Sequence, residues 1–227
     1  MGTAGLAQVR GTDARQVDRR DSWWLEVLPV IVVLGTFSVY ATWAAFQNAH
    51  YYAAPYLSPF YSPCLATTCQ HVTLPLVGSW WPFSPALLIL AVPLGFRATC
   101  YYYRKAYYRS FFWSPPACAV SDAPARYTGE SRFPFLIQNL HRYFLYLSTI
   151  VLAFLWWDAV LAFRFPDGFG LGVGTLVLLT NAVLLTLYTL SCHSCRYLCG
   201  GYLDAFHRAP LRHRLWRLTN ALNPRHA

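Results

Sequence analysis

From Val27 to Phe96 the chain runs through seventy consecutive residues without a single Asp, Glu, Lys or Arg. A water-exposed surface cannot be built that way, because soluble domains carry about 25% charged residues. A membrane helix needs roughly 20 apolar residues per crossing, so the stretch is long enough to cross a bilayer more than once. Over all 227 residues, 56% are hydrophobic and 12% charged, with mean hydropathy +0.31. These figures exclude a disordered chain, a coiled coil and a large soluble catalytic domain. Any chemistry must lie in or beside the helices.

Four segments qualify as spans. The first runs from Leu25 to Phe46, with Pro29 in its first turns where proline is tolerated. The second, from about Trp81 to Tyr103, carries Pro82, Pro85 and Pro93 and is expected to bend. The third covers about Pro134 to Phe163 and the fourth about Phe169 to Cys192. The expected fold class is all-α, a polytopic membrane protein built as a bundle of four transmembrane helices. A polar cytoplasmic segment is expected at 1–22 and the transmembrane domain at 23–200, with an ordered outer loop at 47–80. An amphipathic basic cytoplasmic tail follows at 201–227. No internal repeat is evident.

Direction follows from Lys and Arg, which are retained on the cytoplasmic side. With both termini cytoplasmic, seventeen of the eighteen basic residues lie inside and only Arg164 lies outside. The net charge of +9 therefore reads as topology and contact with an anionic lipid bilayer, with no nucleic acid partner. Arg10, Arg15, Arg19 and Arg20 precede an apolar run longer than the roughly 7 to 15 residues of a secretory signal, so that run reads as an uncleaved first span.

Topology splits the seven cysteines. Cys64 and Cys69 fall in the outer loop, where oxidising conditions favour a disulfide between them. Cys100, Cys118, Cys192, Cys195 and Cys199 fall at the reducing inner face. Three helices and a loop bring these five thiols to one membrane depth together with His141 and His193. One buried cysteine is ordinary packing, but this convergence of mixed Cys and His donors suits zinc or an iron-sulfur centre. If the last span stays helical, Cys195 points about 200° from His193, at about 100° per residue, which favours Cys192 as its neighbour; a break before Gly200 would relax that.

Several strings taken together resemble the membrane-anchor subunit of the type F succinate dehydrogenases of actinobacteria. They are Cys100-Tyr-Tyr-Tyr-Arg104-Lys105-Ala-Tyr-Tyr-Arg109, Pro115-Pro116-Ala-Cys118, Asn139-Leu-His141-Arg142-Tyr143 and Cys192-His193-Ser-Cys195-Arg196. The resemblance covers about Trp24 to Cys199. It implies a complex II relative with flavoprotein and iron-sulfur subunits, in the bacterial plasma membrane. It also implies a membrane subunit without haem that carries a Rieske-type 2Fe-2S cluster and passes electrons to a quinone, menaquinone being expected. By that resemblance two His and two Cys hold the cluster. His141 and His193 fill the histidine places, His50 and His71 lying outside and His207, His213 and His226 in the tail. Cys118 and Cys195 rank first for the cysteine places, then Cys192 and Cys100.

A quinone site needs an apolar slot with one or two donors. Arg104, Tyr108, Ser110 and Trp113 are the candidates, while Arg104, Lys105 and Arg109 suit docking of the iron-sulfur subunit. Asp158, directly after Trp156 and Trp157 near the outer surface, reads as a solvated interfacial acid. Leu211, Leu215 and Leu218 against Arg212, Arg214 and Arg217 form an amphipathic pattern suited to the inner leaflet or a partner. Three rivals are weighed against this: a haem b anchor with His141 and His193 as axial ligands, which leaves the five inner cysteines unexplained; a four-helix quinone-linked thiol oxidoreductase, which needs both cysteine pairs on one side whereas topology here puts them on opposite sides; and a zinc-stapled scaffold, which predicts metal without electrons.

Overall fold

In an apolar solvent the backbone must satisfy its own hydrogen bonds, and long runs of Leu, Val, Ala and Phe do so locally as helix. The structure, a computed structural model, describes residues 21–64, 83–113, 115–120, 135–201 and 203–226, the side chains of Arg104 and Lys105 excepted. The elements begin with α1 (Trp24–Gln47) and a two-residue antiparallel ladder of β1 (Tyr52–Ala53) with β2 (Tyr56–Leu57). A 3-10 turn at Pro59–Tyr61, α2 (Pro85–Thr99) and α3 (Tyr101–Tyr107) follow, α3 continuing into a π-helical turn at Tyr108–Phe112. A 3-10 stretch, Phe135–Leu140, leads into α4 (His141–Leu161), and β3 (Arg164–Phe165) pairs with β4 (Gly168–Phe169). Then come α5 (Val173–Ser191), α6 (His193–Gly200), α7 (Pro210–Leu222) and a 3-10 turn at Asn223–Arg225.

Three helices, Trp24–Gln47, Leu136–Leu161 and Val173–Ser191, are each long and apolar enough to cross a membrane. A fourth crossing arises if α2 and the helix after it count as one broken span. Sequence placed the irregularity of that span at its prolines. Instead Pro85 sits in the first turn of α2, where its missing N–H costs nothing, Pro93 is accommodated inside the helix, and the break falls at Cys100. Trp81 and Pro82 lie outside the described residues.

The chain divides into two units, Met1–Phe37 with Lys105–Thr128, and Ser38–Arg104 with Gly129–Ala227. In the first, Trp23 meets Trp113 edge-on at 6.2 Å, and Tyr107, Tyr108 and Phe112 pack ring against ring. Trp113 ends the π turn in the left-handed region, φ 49°, and donates its N–H to the Tyr108 carbonyl.

In the second unit α4 packs against both α2 and α5. Ala159, Ala162, Leu178 and Ala182 form the buried seam between α4 and α5, small residues that let backbones approach. At Gly95 of α2 a side chain would collide with the Phe144 ring, so the α2–α4 approach needs glycine. One end of this bundle is capped. Tyr51 and Tyr61 stack at 4.3 Å, and Tyr61 donates to the Ala44 carbonyl at 2.8 Å. Thr175 donates to the Ala162 carbonyl at 2.7 Å, with the Tyr56 hydroxyl 3.4 Å from Thr175. The Ser62 hydroxyl donates to the carboxylate of Asp158. Asp158 is therefore buried, not the solvated acid its neighbouring tryptophans suggested; the folded-back loop supplies the donor that makes burial tolerable. Cys64 is buried beneath Tyr51 and disulfide-bonded, and the expected partner, Cys69, lies outside the described residues.

Candidate metal centre

At the other end of the second unit, α2 and α5 stop in the same way. Cys100 is a single extended residue between α2 and α3, φ −68° and ψ 125°. Cys192 is a single extended residue between α5 and α6, φ −60° and ψ 137°. The local sequences share a pattern of aromatic, two residues, hydroxyl, cysteine: Phe96-Arg97-Ala98-Thr99-Cys100 and Tyr188-Thr189-Leu190-Ser191-Cys192. Each hydroxyl turns back onto its own helix, Thr99 Oγ1 donating to the Gly95 carbonyl at 2.7 Å and Ser191 Oγ to the Tyr188 carbonyl at 2.7 Å. Such back-bonding competes with the helical ladder. The cysteine amides close only 3-10 bonds, Cys100 to the Arg97 carbonyl at 3.1 Å and Cys192 to the Thr189 carbonyl at 3.2 Å.

Two histidines bridge the two breaks in opposite senses. His141, at the start of α4, stacks on Phe96 with ring centroids 4.7 Å apart; its Nδ1 lies 3.0 Å from Thr99 Oγ1 and its Nε2 3.2 Å from Cys192 Sγ. His226 stacks on Tyr188 at 4.4 Å; its Nδ1 lies 2.7 Å from Ser191 Oγ and its Nε2 3.7 Å from Cys100 Sγ. Each imidazole thus takes the hydroxyl of one break and the thiol of the other. Because both hydroxyl protons are already committed to helix carbonyls, each Nδ1 carries the proton and donates it to the hydroxyl oxygen. Each Nε2 then presents its lone pair to a sulfur, the tautomer a metal-binding histidine needs.

The group is shielded from solvent: Cys192 is 0% exposed, Cys100 3% and His226 6%. Phe96, Leu145 and Cys192 form one buried cluster, with Phe144, Tyr188 and Cys195 against it. The Arg97 guanidinium lies 4.2 Å from the centre of the Tyr188 ring and 5.4 Å from that of Tyr103. Among the described residues no three His, Cys, Asp or Glu side chains converge as they would around one ion; the donors come as two Cys–His pairs. Burial holds His226 below the ordinary histidine value, with the Arg97 charge acting in the same direction.

His226 is delivered by a tail that folds back. Arg212 of α7 donates to the carbonyls of Cys199 at 3.0 Å, Leu198 at 3.3 Å and Gly201 at 2.8 Å. Arg196 donates to Asn220 Oδ1 at 3.1 Å, and Asn223 Nδ2 to the Ser191 carbonyl at 2.8 Å. Trp216 seats on Gly200, where a side chain would collide with it. The basic residues of the tail are thus partly spent on helix ends, and the amphipathic stripe Leu211, Leu215, Leu218 is left facing outward.

Of the residues expected from sequence, Cys100, His141 and Cys192 come together. His193 is exposed on α6, its Nδ1 3.2 Å from an Arg196 nitrogen. The last span does not stay helical to Gly200: it breaks at Cys192, where Ser191 back-bonds, so the helical phase argument relating His193 to Cys195 and Cys192 does not apply. Cys195 and Cys199 sit half-buried on α6, and burial pushes the Cys195 thiol up to about 12. Cys118 is exposed and belongs to the first unit. Tyr108 and Ser110 of the same unit are buried and Trp113 is half exposed; the side chain of Arg104 lies outside the described residues. Phe96, Thr99, Tyr188, Ser191 and His226 are the site residues that sequence reasoning passed over. The repeated aromatic-x-x-hydroxyl-cysteine string would have revealed the first four, whereas nothing local marks His226.

Comparison with known proteins bears on what this arrangement belongs to. No curated protein matches the chain. A chain of the solved Mycobacterium smegmatis Sdh1 complex in the apo form is similar, with a TM-score of 0.85 and 42% sequence identity over 99% of this chain and 88% of that one. The family model of the actinobacterial succinate dehydrogenase subunit SdhC matches residues 25–227, a range that takes in both helix breaks and His226. An apolar helical chain with this match over nearly its whole length is a membrane subunit of succinate dehydrogenase, and it belongs to the actinobacterial SdhC family.

Proposed function

We propose that this subunit, lying in the plasma membrane with both termini cytoplasmic, carries electrons from the soluble iron-sulfur subunit to a quinone through a Rieske-type 2Fe-2S cluster held by Cys100, Cys192, His141 and His226. The observation that carries the reading is the crossed arrangement at the two helix breaks. A two-iron cluster of Rieske type takes two Cys on one iron and two His on the other. Two buried thiols and two Nε2 lone pairs in one layer, with every Nδ1 fixed by a hydroxyl, supply that donor set in number and kind. When bound, such a group takes up and releases one electron at a time, at a potential above that of all-cysteine clusters.

The rest is done by the chain. Cys100 and Cys192 would hold the group as thiolates, and the extended residue at each break frees the sulfur from the helical phase. Thr99 and Ser191 hold the imidazoles in one tautomer, and Phe96 and Tyr188 fix the ring planes and exclude water. The quinone, menaquinone in this reading, takes its hydrogen bonds from the stretch Arg104 to Trp113, where the buried Tyr108 and Ser110 are the donors. Seventeen of eighteen basic residues on one side support the orientation.

Low-temperature EPR on the purified complex, reduced first with succinate and then with dithionite and paired with an optical spectrum, tests this. A Rieske-type signal present in the wild type, lost in His141→Ala and His226→Ala and kept in His193→Ala, is expected. Loss in His193→Ala with retention in His226→Ala would return His193 to the site. A haem spectrum, or an EPR-silent subunit holding zinc, would overturn the reading.

A further inference from the structure

Arg97 is out of place by ordinary membrane rules. It is the first charge after seventy uncharged residues, one turn before Cys100, and a charge at the edge of the hydrocarbon is expensive unless something compensates it. Among the described residues no carboxylate pairs with it and no acceptor takes its guanidinium hydrogens; it is held between two aromatic faces, Tyr188 at 4.2 Å and Tyr103 at 5.4 Å. Cation–π contact of this kind fixes position without neutralising charge. The two neighbouring arginines are engaged elsewhere, Arg142 over the Tyr197 ring at 4.8 Å and Arg196 on Asn220 and His193. The two halves of the site match in aromatic, hydroxyl, cysteine and histidine, but position 97 has an arginine where the second half has Thr189. The charge is therefore the element that the crossed symmetry does not require.

We infer that Arg97, held on the Tyr188 ring on which His226 also stacks, is the counter-charge for a negative charge that arises in the Cys100–His141–Cys192–His226 site only on reduction. The inference rests on the proposed cluster. With two thiolates and two neutral imidazoles, an oxidised two-iron, two-sulfide core is neutral overall and gains one negative charge with one electron. A fixed positive charge beside a low-dielectric site stabilises the reduced form over the oxidised one. Arg97 thus would raise the midpoint potential through its charge alone. The electron comes from succinate oxidation through the soluble subunits and leaves to quinone, so Arg97 changes the balance between the two steps and not their stoichiometry.

Redox titration of the intact complex, followed by the Rieske-type EPR signal, tests this in the wild type, Arg97→Gln, Arg97→Lys and Tyr103→Leu. Arg97→Gln is expected to shift the equilibrium at least tenfold toward the oxidised form, about 59 mV for one electron, with unchanged g-values because no ligand is altered. Arg97→Lys should stay near the wild type, and Tyr103→Leu, which loosens the guanidinium without removing charge, should fall in the same direction by less. If Arg97→Gln does not assemble, Tyr103→Leu decides alone. A wild-type midpoint in Arg97→Gln, or in Tyr103→Leu where that variant decides, overturns the inference while the cluster stands. Absence of the signal from the wild type instead removes the cluster reading, and the counter-charge with it.

Discussion

The two ends of the second unit are built from the same helices but closed by different chemistry. At the capped end, buried polar groups meet partners of ordinary strength: Tyr61 on the Ala44 carbonyl, Thr175 on the Ala162 carbonyl, Ser62 on the Asp158 carboxylate. That is what folding requires of a buried polar group. At the cysteine end the helices are broken twice, and the buried groups face each other through sulfur–nitrogen contacts of 3.2 and 3.7 Å, weak as hydrogen bonds. Two helix breaks and contacts this weak add little stability, and in the proposed reading they hold the four donors for a cluster. The capped end keeps the bundle closed, whereas the cysteine end, in the proposed reading, keeps donors available for ligation.

The comparison is broken most directly at the sulfurs. Cys100→Ser and Cys192→Ser should each abolish the Rieske-type EPR signal, while Cys195→Ser, Cys199→Ser and Cys118→Ser leave it. Retention in Cys100→Ser would show that the crossed pairs are packing only. At the capped end, Ser62→Ala removes a donor from a buried carboxylate and should cost about 1.5–3 kcal/mol. A lower thermal midpoint of the complex with an unchanged EPR signal is the expected outcome, and a changed signal would couple the ends. Between them, Gly95→Ala presses on Phe144 and should cost about 1–3 kcal/mol by overpacking. Because Thr99 is one turn away on the same helix, iron content per complex should drop as well. The smallest effect belongs to Ser191→Ala, about 0.5–1.5 kcal/mol. Its signal persists, but the cluster should be lost faster to a chelator as His226 is less firmly held.

What the sequence made legible follows from how local the causes are. The apolar runs announce α1, α4 and α5 to within a few residues, because length and hydropathy decide them without help from the rest of the chain. Cys100, His141 and Cys192 were legible as one layer, since each sits at the end of a recognisable span. The helix break at Cys192 was not, because Ser191 is a small polar residue whose hydroxyl can face solvent or turn back, and only the folded neighbourhood settles which. His226 was hidden for a stronger reason. Its place depends on Arg212, Asn223 and Trp216 finding α6 and α5 in space, and the amphipathic pattern of α7 is equally consistent with a tail lying on the lipid. Asp158 misled for the same reason in reverse: tryptophans beside it suggest an interface, while its donor comes from Ser62, 96 positions earlier.

The partnership of Cys100 with His226 joins positions 126 residues apart, with that of His141 and Cys192 nested inside it. During synthesis the four donors emerge in the order 100, 141, 192, 226. Until the last of them has been made and α7 packs against α6, the set lacks its fourth member. If the proposed cluster is held there, the site is complete only once the Phe206–His226 segment is in place, so the C-terminal end of the chain is what closes it.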